Sequence, residues 1–281
     1  LRGYGRELDY EGFEESMKQQ KDSARKAWSG SGEKETASVW MELKDKHKIV
    51  NFVGYEKILD KIKITSIVKD EIEISEAAIN EEVLIVTDKT PFYGESGGQE
   101  GDRGVFEWTD GLGEVLDTIK VDEIIIHKVK IIKGILKLNA IVLAKIDVNR
   151  RDALKIHHSA THLLHESLRR HIGKHVTQKG SLVAEDKLRF DISHNKPVTK
   201  DMLNKIEKEI NTQIRANYNI DTSVMPIKEA QKLGALALFG EKYGEAVRVV
   251  SMGSSIGQEA FSTELCGGTH VEKTGDIGSF K

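Results

Sequence analysis

The chain has one cysteine, Cys266, among its 281 residues. A lone thiol cannot build an internal disulfide framework, and it fits a reducing compartment. Long apolar runs are also missing: the richest stretch, Ile124 to Leu143, is interrupted by His127, Lys128, Lys130 and Lys133, which argues against a membrane span. No charged-then-apolar opening with a small-residue cleavage site marks a secretory signal. The expectation is therefore a cytoplasmic protein with no membrane partner. An excess of one charge sign is absent too. The formal net charge is −3, which offers no bulk attraction to nucleic acid, so any RNA contact must come from a local basic patch. There is no Gly-x-x-x-x-Gly-Lys-Ser/Thr loop for nucleotide phosphates and no Gly-x-Ser-x-Gly elbow for a serine hydrolase.

Hydrophobic residues make up 38% and charged residues 31%, a balance suited to a globular protein. Residues 9–29 read as a helix, with Asp9 as its cap, Phe13, Met17 and Trp28 on one side and Gly30 at its end. Ser29-Gly30-Ser31-Gly32 reads as a flexible joint, and 34–48 is ambiguous. From about Asn51 the apolar period becomes two. Strands are expected at Ile62–Val68, Val83–Thr87, Gly104–Trp108, Val115–Val121, Ile124–Ile132 and Ile135–Ile146, in a small barrel or sandwich. The Gly-rich loop at 94–101 lies among these strands rather than before a helix, so it is not a dinucleotide site. Beyond Asn149 come a helix from Arg150 to His171 and a hairpin of Ser181–Ala184 with Leu188–Ile192. A helix capped by Thr199, a short helix opened by Pro226 and a strand at Val247–Met252 follow. This is an α+β chain: a β module, then an α+β module, with the boundary near residue 148. Leu1 in place of Met, and the unpunctuated stop at Lys281, read as the cut ends of a longer protein.

The chemistry concentrates in two short motifs. His158-Ser159-Ala160-Thr161-His162 sets two imidazoles four residues apart, on one face of a helix and within reach of one ion. His157 and His165 compete for the same role, and any single histidine here, taken alone, reads as an ordinary surface or core side chain. Cys266-Gly267-Gly268-Thr269-His270 offers a thiol and an imidazole across a turn whose glycines permit positive φ. Three imidazoles and one thiolate suit zinc. A Cys266–His270 nucleophilic pair is the competing scheme, but it leaves the other histidines without a role and has no evident orienting Asn or Asp.

These residues resemble the alanyl-tRNA synthetase family. The likeness rests on the two motifs, on Gln178-Lys179-Gly180-Ser181, Leu188-Arg189-Phe190-Asp191, Pro91-Phe92-Tyr93-Gly94-Glu95-Ser96-Gly97-Gly98-Gln99, and the opening Gly12-Phe13-Glu14-Glu15-Ser16-Met17. It spans nearly the whole chain in the family's order; only Gly94 departs, where Ala or Pro is expected. The resemblance implies a division into 1–48, the helical end of a tRNA-recognition segment with a linker; 49–148, a β-barrel subdomain; and 149–281, an α+β editing core shared with threonyl-tRNA synthetase editing domains. It implies an aminoacyl-tRNA deacylase that hydrolyses Ser-tRNA(Ala) and Gly-tRNA(Ala). One methyl group or one hydroxyl is too small a difference, at about 1–3 kcal/mol, for an alanine pocket to reject alone.

By position, the resemblance gives His158, His162, Cys266 and His270 as Zn²⁺ ligands and Gln178, Thr161 and Thr90 as catalytic or substrate-side groups, with Thr269 a further threonine of that kind. Gly97, Gly98, Gln99, Lys179 and Arg189 would meet the acceptor end of tRNA(Ala), and Arg169, Arg170 and Lys174 would steer it. ATP and Mg²⁺ would belong to an aminoacylation domain that the chain lacks. A free-standing alanyl-tRNA editing protein and a non-catalytic, zinc-stabilised RNA-binding module remain as alternatives, and the oligomeric state is open. So is the role of the zinc, because four protein ligands close a tetrahedral site whereas catalytic zinc usually keeps an open position.

Overall fold

The computed structural model describes residues 49–236, 244–253 and 260–281. The helix expected at 9–29, the joint after it and the segment 34–48 lie outside the described residues. Among those described, six antiparallel strands close into a barrel: β1 (Leu59–Lys69), β2 (Glu82–Thr87), β3 (Gly104–Trp108), β4 (Gly111–Val121), β5 (Ile124–Lys133) and β6 (Ile141–Ile146). The ring runs β1-β2-β5-β4-β3-β6 and back to β1. Closure pairs backbone groups that an open sheet would leave at its edges.

The period-two pattern explains which way the side chains point. Ile62 and Ile64 of β1 are buried while Lys61 and Lys63 are exposed, and Val129 and Ile131 of β5 join them in one apolar core with Phe92 and Phe106. These two rings meet edge to face at 5.6 Å. Register shifts at Ile64/Ser66, Leu112/Gly113 and Val115/Asp117 supply the local bends that curve the sheet. The strand expected over Ile135–Ile146 is two pieces. Leu136–Lys137 pairs with Glu76–Ala77, and β6 starts only at Ile141. Positive φ at Gly134 (77°) and Asn139 (67°) breaks the extended chain, which apolar alternation alone does not reveal.

At the end of β6, Asp147 caps a continuous helix, α1 (Val148–His171), its carboxylate accepting from the Arg150 N–H at 3.1 Å. A hairpin follows, of β7 (Gln178–Val183) and β8 (Leu188–Ile192). The second long helix is α2 (Lys200–Ala216), where the Thr199 hydroxyl accepts from Met202 N–H at 3.3 Å and Asn217 closes the last turn at φ 52°. Then come β9 (Ile220–Pro226), α3 (Ile227–Lys232), β10 (Ala246–Met252) and β11 (Ser262–Leu265), with the sheet ordered β9-β10-β11. Leu163, Ile206, Ile210, Ile214, Val250 and Met252 bury the contact between the helices and this sheet.

Barrel and core pack as one compact unit, joined by two adjacent arginines of α1. Buried Arg151 pairs with buried Asp102 and also donates to the carbonyls of Gly54 (2.7 Å) and Pro91 (2.8 Å). Arg150 bridges Glu100 and Glu185 at 2.7 and 2.9 Å. No helix among the described residues is long and apolar enough to cross a membrane.

Candidate metal centre

Helix α1 presents His158 and His162 one turn apart, with their rings stacked 5.2 Å apart. The second pair lies on the turn that leaves β11. Gly268 lets that turn approach closely, since a Cβ there would stand 2.0 Å from His158 Cε1. Cys266 Sγ lies 3.4 Å from His158 Nε2 and 3.3 Å from His270 Nε2. One ligand atom from each of His158, His162, Cys266 and His270 falls within 4.8 Å of all the others.

Every imidazole is held by its other nitrogen. His158 Nδ1 meets Gln99 Oε1 at 2.7 Å, His162 Nδ1 meets Glu264 Oε2 at 2.7 Å, and His270 Nδ1 meets Ser159 Oγ at 3.2 Å. All three rings therefore turn Nε2 towards Cys266, the arrangement in which a histidine offers a lone pair to a metal. His162 Nε2 is buried and without a partner. The turn itself is clamped from outside. Arg248 Nη1 donates to the carbonyls of Cys266 and Gly268 at 2.9 and 3.0 Å, and the Tyr55 hydroxyl donates to the Gly267 carbonyl at 2.5 Å.

The electrostatics favour a cation. Burial raises the Cys266 thiol, but the surrounding histidines outweigh it and hold its pKa well below the ordinary thiol value. Burial opposes charge on His162, yet the Glu264 carboxylate and the Cys266 sulfur push it up to about 10. Glu264 itself, although buried, is held down to about 2 by His162. Burial takes His270 down to about 3. Two buried anions thus face three imidazoles, and the position that His162 reserves for a proton is one that a metal ion can occupy.

The other residues singled out in the sequence fall in several places. Thr161 is buried, its hydroxyl donating to the His157 carbonyl at 2.8 Å. His157 turns to the Ala184 carbonyl, while His165 shares Glu264 with His162 instead of joining the ligand set. Gln178 opens β7, half-buried, on the hairpin packed against α1. Lys179 and Arg189 are exposed on that hairpin, and Arg189 pairs with Asp191. Arg169 donates to the carbonyls of Lys174 and Val176, and Arg170 lies over the Phe261 ring. Thr90 is buried against His127 in the barrel at 2.8 Å, apart from the cluster. Gln99 is fully buried beside His158, and its side chain also bonds Thr269. Gly97 lines a cavity of about 390 Å³ that reaches His158 and Cys266. Sequence reasoning missed Glu264 and Gln99 as partners of the ligands. For Glu264, the strand Ser262-Thr263-Glu264-Leu265 carries no apolar alternation that would mark its burial.

The sequence that builds this barrel and four-donor cluster has relatives. The family described as tRNA synthetases class II (A) matches residues 1–150, and the Threonyl and Alanyl tRNA synthetase second additional domain matches residues 247–281. The chain belongs to the class II (A) tRNA synthetase family. Among its similar proteins are alanine–tRNA ligases of Paracoccus denitrificans, 45% identical over all of this chain, and Parvibaculum lavamentivorans, 47% identical over all of it. The alanine–tRNA ligase of Rickettsia felis is 48% identical over 98% of the chain. The chain spans 31–32% of the length of these relatives.

Proposed function

We propose that the chain is the editing portion of an alanine–tRNA ligase, with zinc at His158, His162, Cys266 and His270, hydrolysing the ester of Ser-tRNA(Ala) and Gly-tRNA(Ala). The observation that carries this reading is a four-donor cluster opening onto a cavity. Three Nε2 atoms and one thiolate make a donor set suited to zinc, and the buried, unpartnered His162 Nε2 fits a coordinating role. When bound, zinc supplies Lewis-acid chemistry: polarisation of an ester carbonyl, or a more acidic water. The protein supplies position. Gln99, Glu264 and Ser159 orient the ligands, and Phe52, Tyr55, Tyr93 and Gly97 of the barrel side wall the cavity beside Cys266.

In this reading residues 1–48 end a tRNA-recognition segment, 49–148 form the barrel subdomain and 149–281 the editing core. Gln178 and Thr161 act on the substrate side, and Lys179 and Arg189 approach the acceptor end of tRNA(Ala). Thr90 joins them on the substrate side and Gln99 approaches the acceptor end. To do so Thr90, Thr161 and Gln99 would each exchange an internal contact, with His127, the His157 carbonyl and the His158–Thr269 pair respectively. The protein works in the cytoplasm, and alanine activation with ATP and Mg²⁺ belongs to the rest of the full-length enzyme.

The test is incubation of the chain with Ser-tRNA(Ala) and Ala-tRNA(Ala), beside Cys266→Ala, with folding followed by circular dichroism. The expected result is preferential loss of the seryl ester. In the variant the rate falls by more than the roughly 10–100-fold typical when an outer partner of a metal ligand is removed. Equal rates for both proteins would sink the assignment. The four protein donors also admit a purely structural zinc. Chelation separates the two, since a structural site unfolds the chain whereas a catalytic one stops turnover with the fold kept.

A further inference from the structure

The carboxamide of Gln99 touches both halves of the four-donor cluster while belonging to neither. It arrives from the barrel, on the loop between β2 and β3, and its side chain is fully buried. Two glycines make the approach possible. At Gly98, φ is +84° and a Cβ would stand 2.6 Å from the Ser181 carbonyl oxygen; at Gly268, a Cβ would stand 3.0 Å from Gln99 Oε1. The backbone then anchors the loop to β7. Val183 N–H donates to the Gly98 carbonyl at 2.7 Å, and Glu100 N–H donates to the Val183 carbonyl at 3.0 Å.

The contacts of this carboxamide fix a proton. The backbone N–H of Thr269 can only donate, and the side-chain atom it meets at 3.0 Å is therefore the oxygen of Gln99. The Gln99 amide nitrogen then donates to Thr269 Oγ1 at 2.9 Å. That same oxygen lies 2.7 Å from His158 Nδ1, so Nδ1 carries the proton and Nε2 is left with its lone pair facing Cys266. The chain of constraint runs from a backbone amide on the Cys266–His270 turn, through a barrel side chain, to a ring on α1.

We propose that Gln99 is a positioning residue of the metal centre, which sets the tautomer of His158 and ties the Cys266–His270 turn to α1, so that the barrel completes the site. This rests on reading the cluster as a metal centre. Gln99→Leu removes the acceptor at similar size; Gln99→Glu keeps an acceptor for both N–H groups. Zinc affinity is measured by competition with a chromophoric chelator, and Co²⁺ loading reports the ligand set through its thiolate charge-transfer band. Wild type is expected to bind one zinc. Gln99→Leu should bind roughly 10–100-fold more weakly, with an altered cobalt spectrum, and Gln99→Glu should stay within a few-fold of wild type.

Wild-type-like affinity and spectrum in Gln99→Leu would overturn the proposal, as would equal loss in both variants, since that would mean packing rather than the acceptor matters. Wild type that takes up no metal would instead remove the underlying metal reading. Should Gln99→Leu fail to fold, nitrogen-15 NMR of the zinc-loaded wild type decides. A slowly exchanging proton on His158 Nδ1 is expected, and a rapidly exchanging one overturns the assignment.

Discussion

His127 and His162 are both buried by protein, one inside the barrel and the other in the His/Cys cluster. Around His127 stand Phe92, Phe106, the Thr90 hydroxyl and the Ile85 carbonyl; burial pushes it down to about 4 and it stays neutral. Around His162 stand Glu264 and Cys266, and the same degree of burial is overcome, so the ring goes up to about 10. Burial alone thus does not decide the charge of a histidine: at His162 the Glu264 carboxylate and the Cys266 sulfur outweigh it, whereas at His270 burial prevails. The barrel interior keeps His127 neutral, whereas the surroundings in the α+β core favour charge on His162.

The largest expected effect tests whether the joint between the regions serves stability alone. Asp102→Leu strips Arg151 of its carboxylate and leaves a buried unpaired guanidinium, which costs about 3–5 kcal/mol. Urea denaturation should show this loss, while zinc affinity of the folded fraction stays at the wild-type level. A drop in affinity would show that the joint also shapes the centre. Next in size, Glu264→Gln removes the charge that distinguishes the two histidines. Zinc affinity should fall roughly 10–100-fold by chelator competition, and an unchanged value would mean that the carboxylate is not what holds His162 ready.

The smallest effect concerns acid. The folded pKa of His127, about 4, lies below the ordinary 6.5, so between these values the unfolded chain binds a proton that the folded chain refuses. Stability conferred by this neutral ring is complete above pH 6.5 and falls as the pH drops through that window, by about 2 kcal/mol at pH 5. His127→Gln should flatten this part of the stability–pH curve in denaturant melts. An identical slope in the variant would place the acid sensitivity elsewhere.

The features legible in the sequence are those set by neighbours along the chain. The apolar period gives β2, β3 and β5 nearly to the residue, Thr199 caps α2 through its own first turn, and the i,i+4 spacing brings His158 and His162 together. The Cys266–His270 half-site is local in the same sense, held by a glycine turn. Partners distant along the chain were hidden. Gln99 reads as a loop amide because its partner Thr269 is 170 positions away, and Glu264 reads as a strand carboxylate because His165 is 99 positions away. Over Ile135–Ile146 the apolar alternation runs on past Asn139, whose positive φ interrupts the strand.

Helix α1 is docked at one end and carries two of the four clustered donors in its middle: Arg151 is fixed to Asp102, Gly54 and Pro91, and His158 is fixed to Gln99 about two turns further on. At 3.6 residues per turn, adding or removing a single residue between them would swing the downstream rings by about 100° while Arg151 stayed in its socket. This short stretch is therefore a phase gauge. Its exposed side chains can vary more readily than buried Leu154, but its length cannot, and insertions or deletions would be confined to the loops on either side.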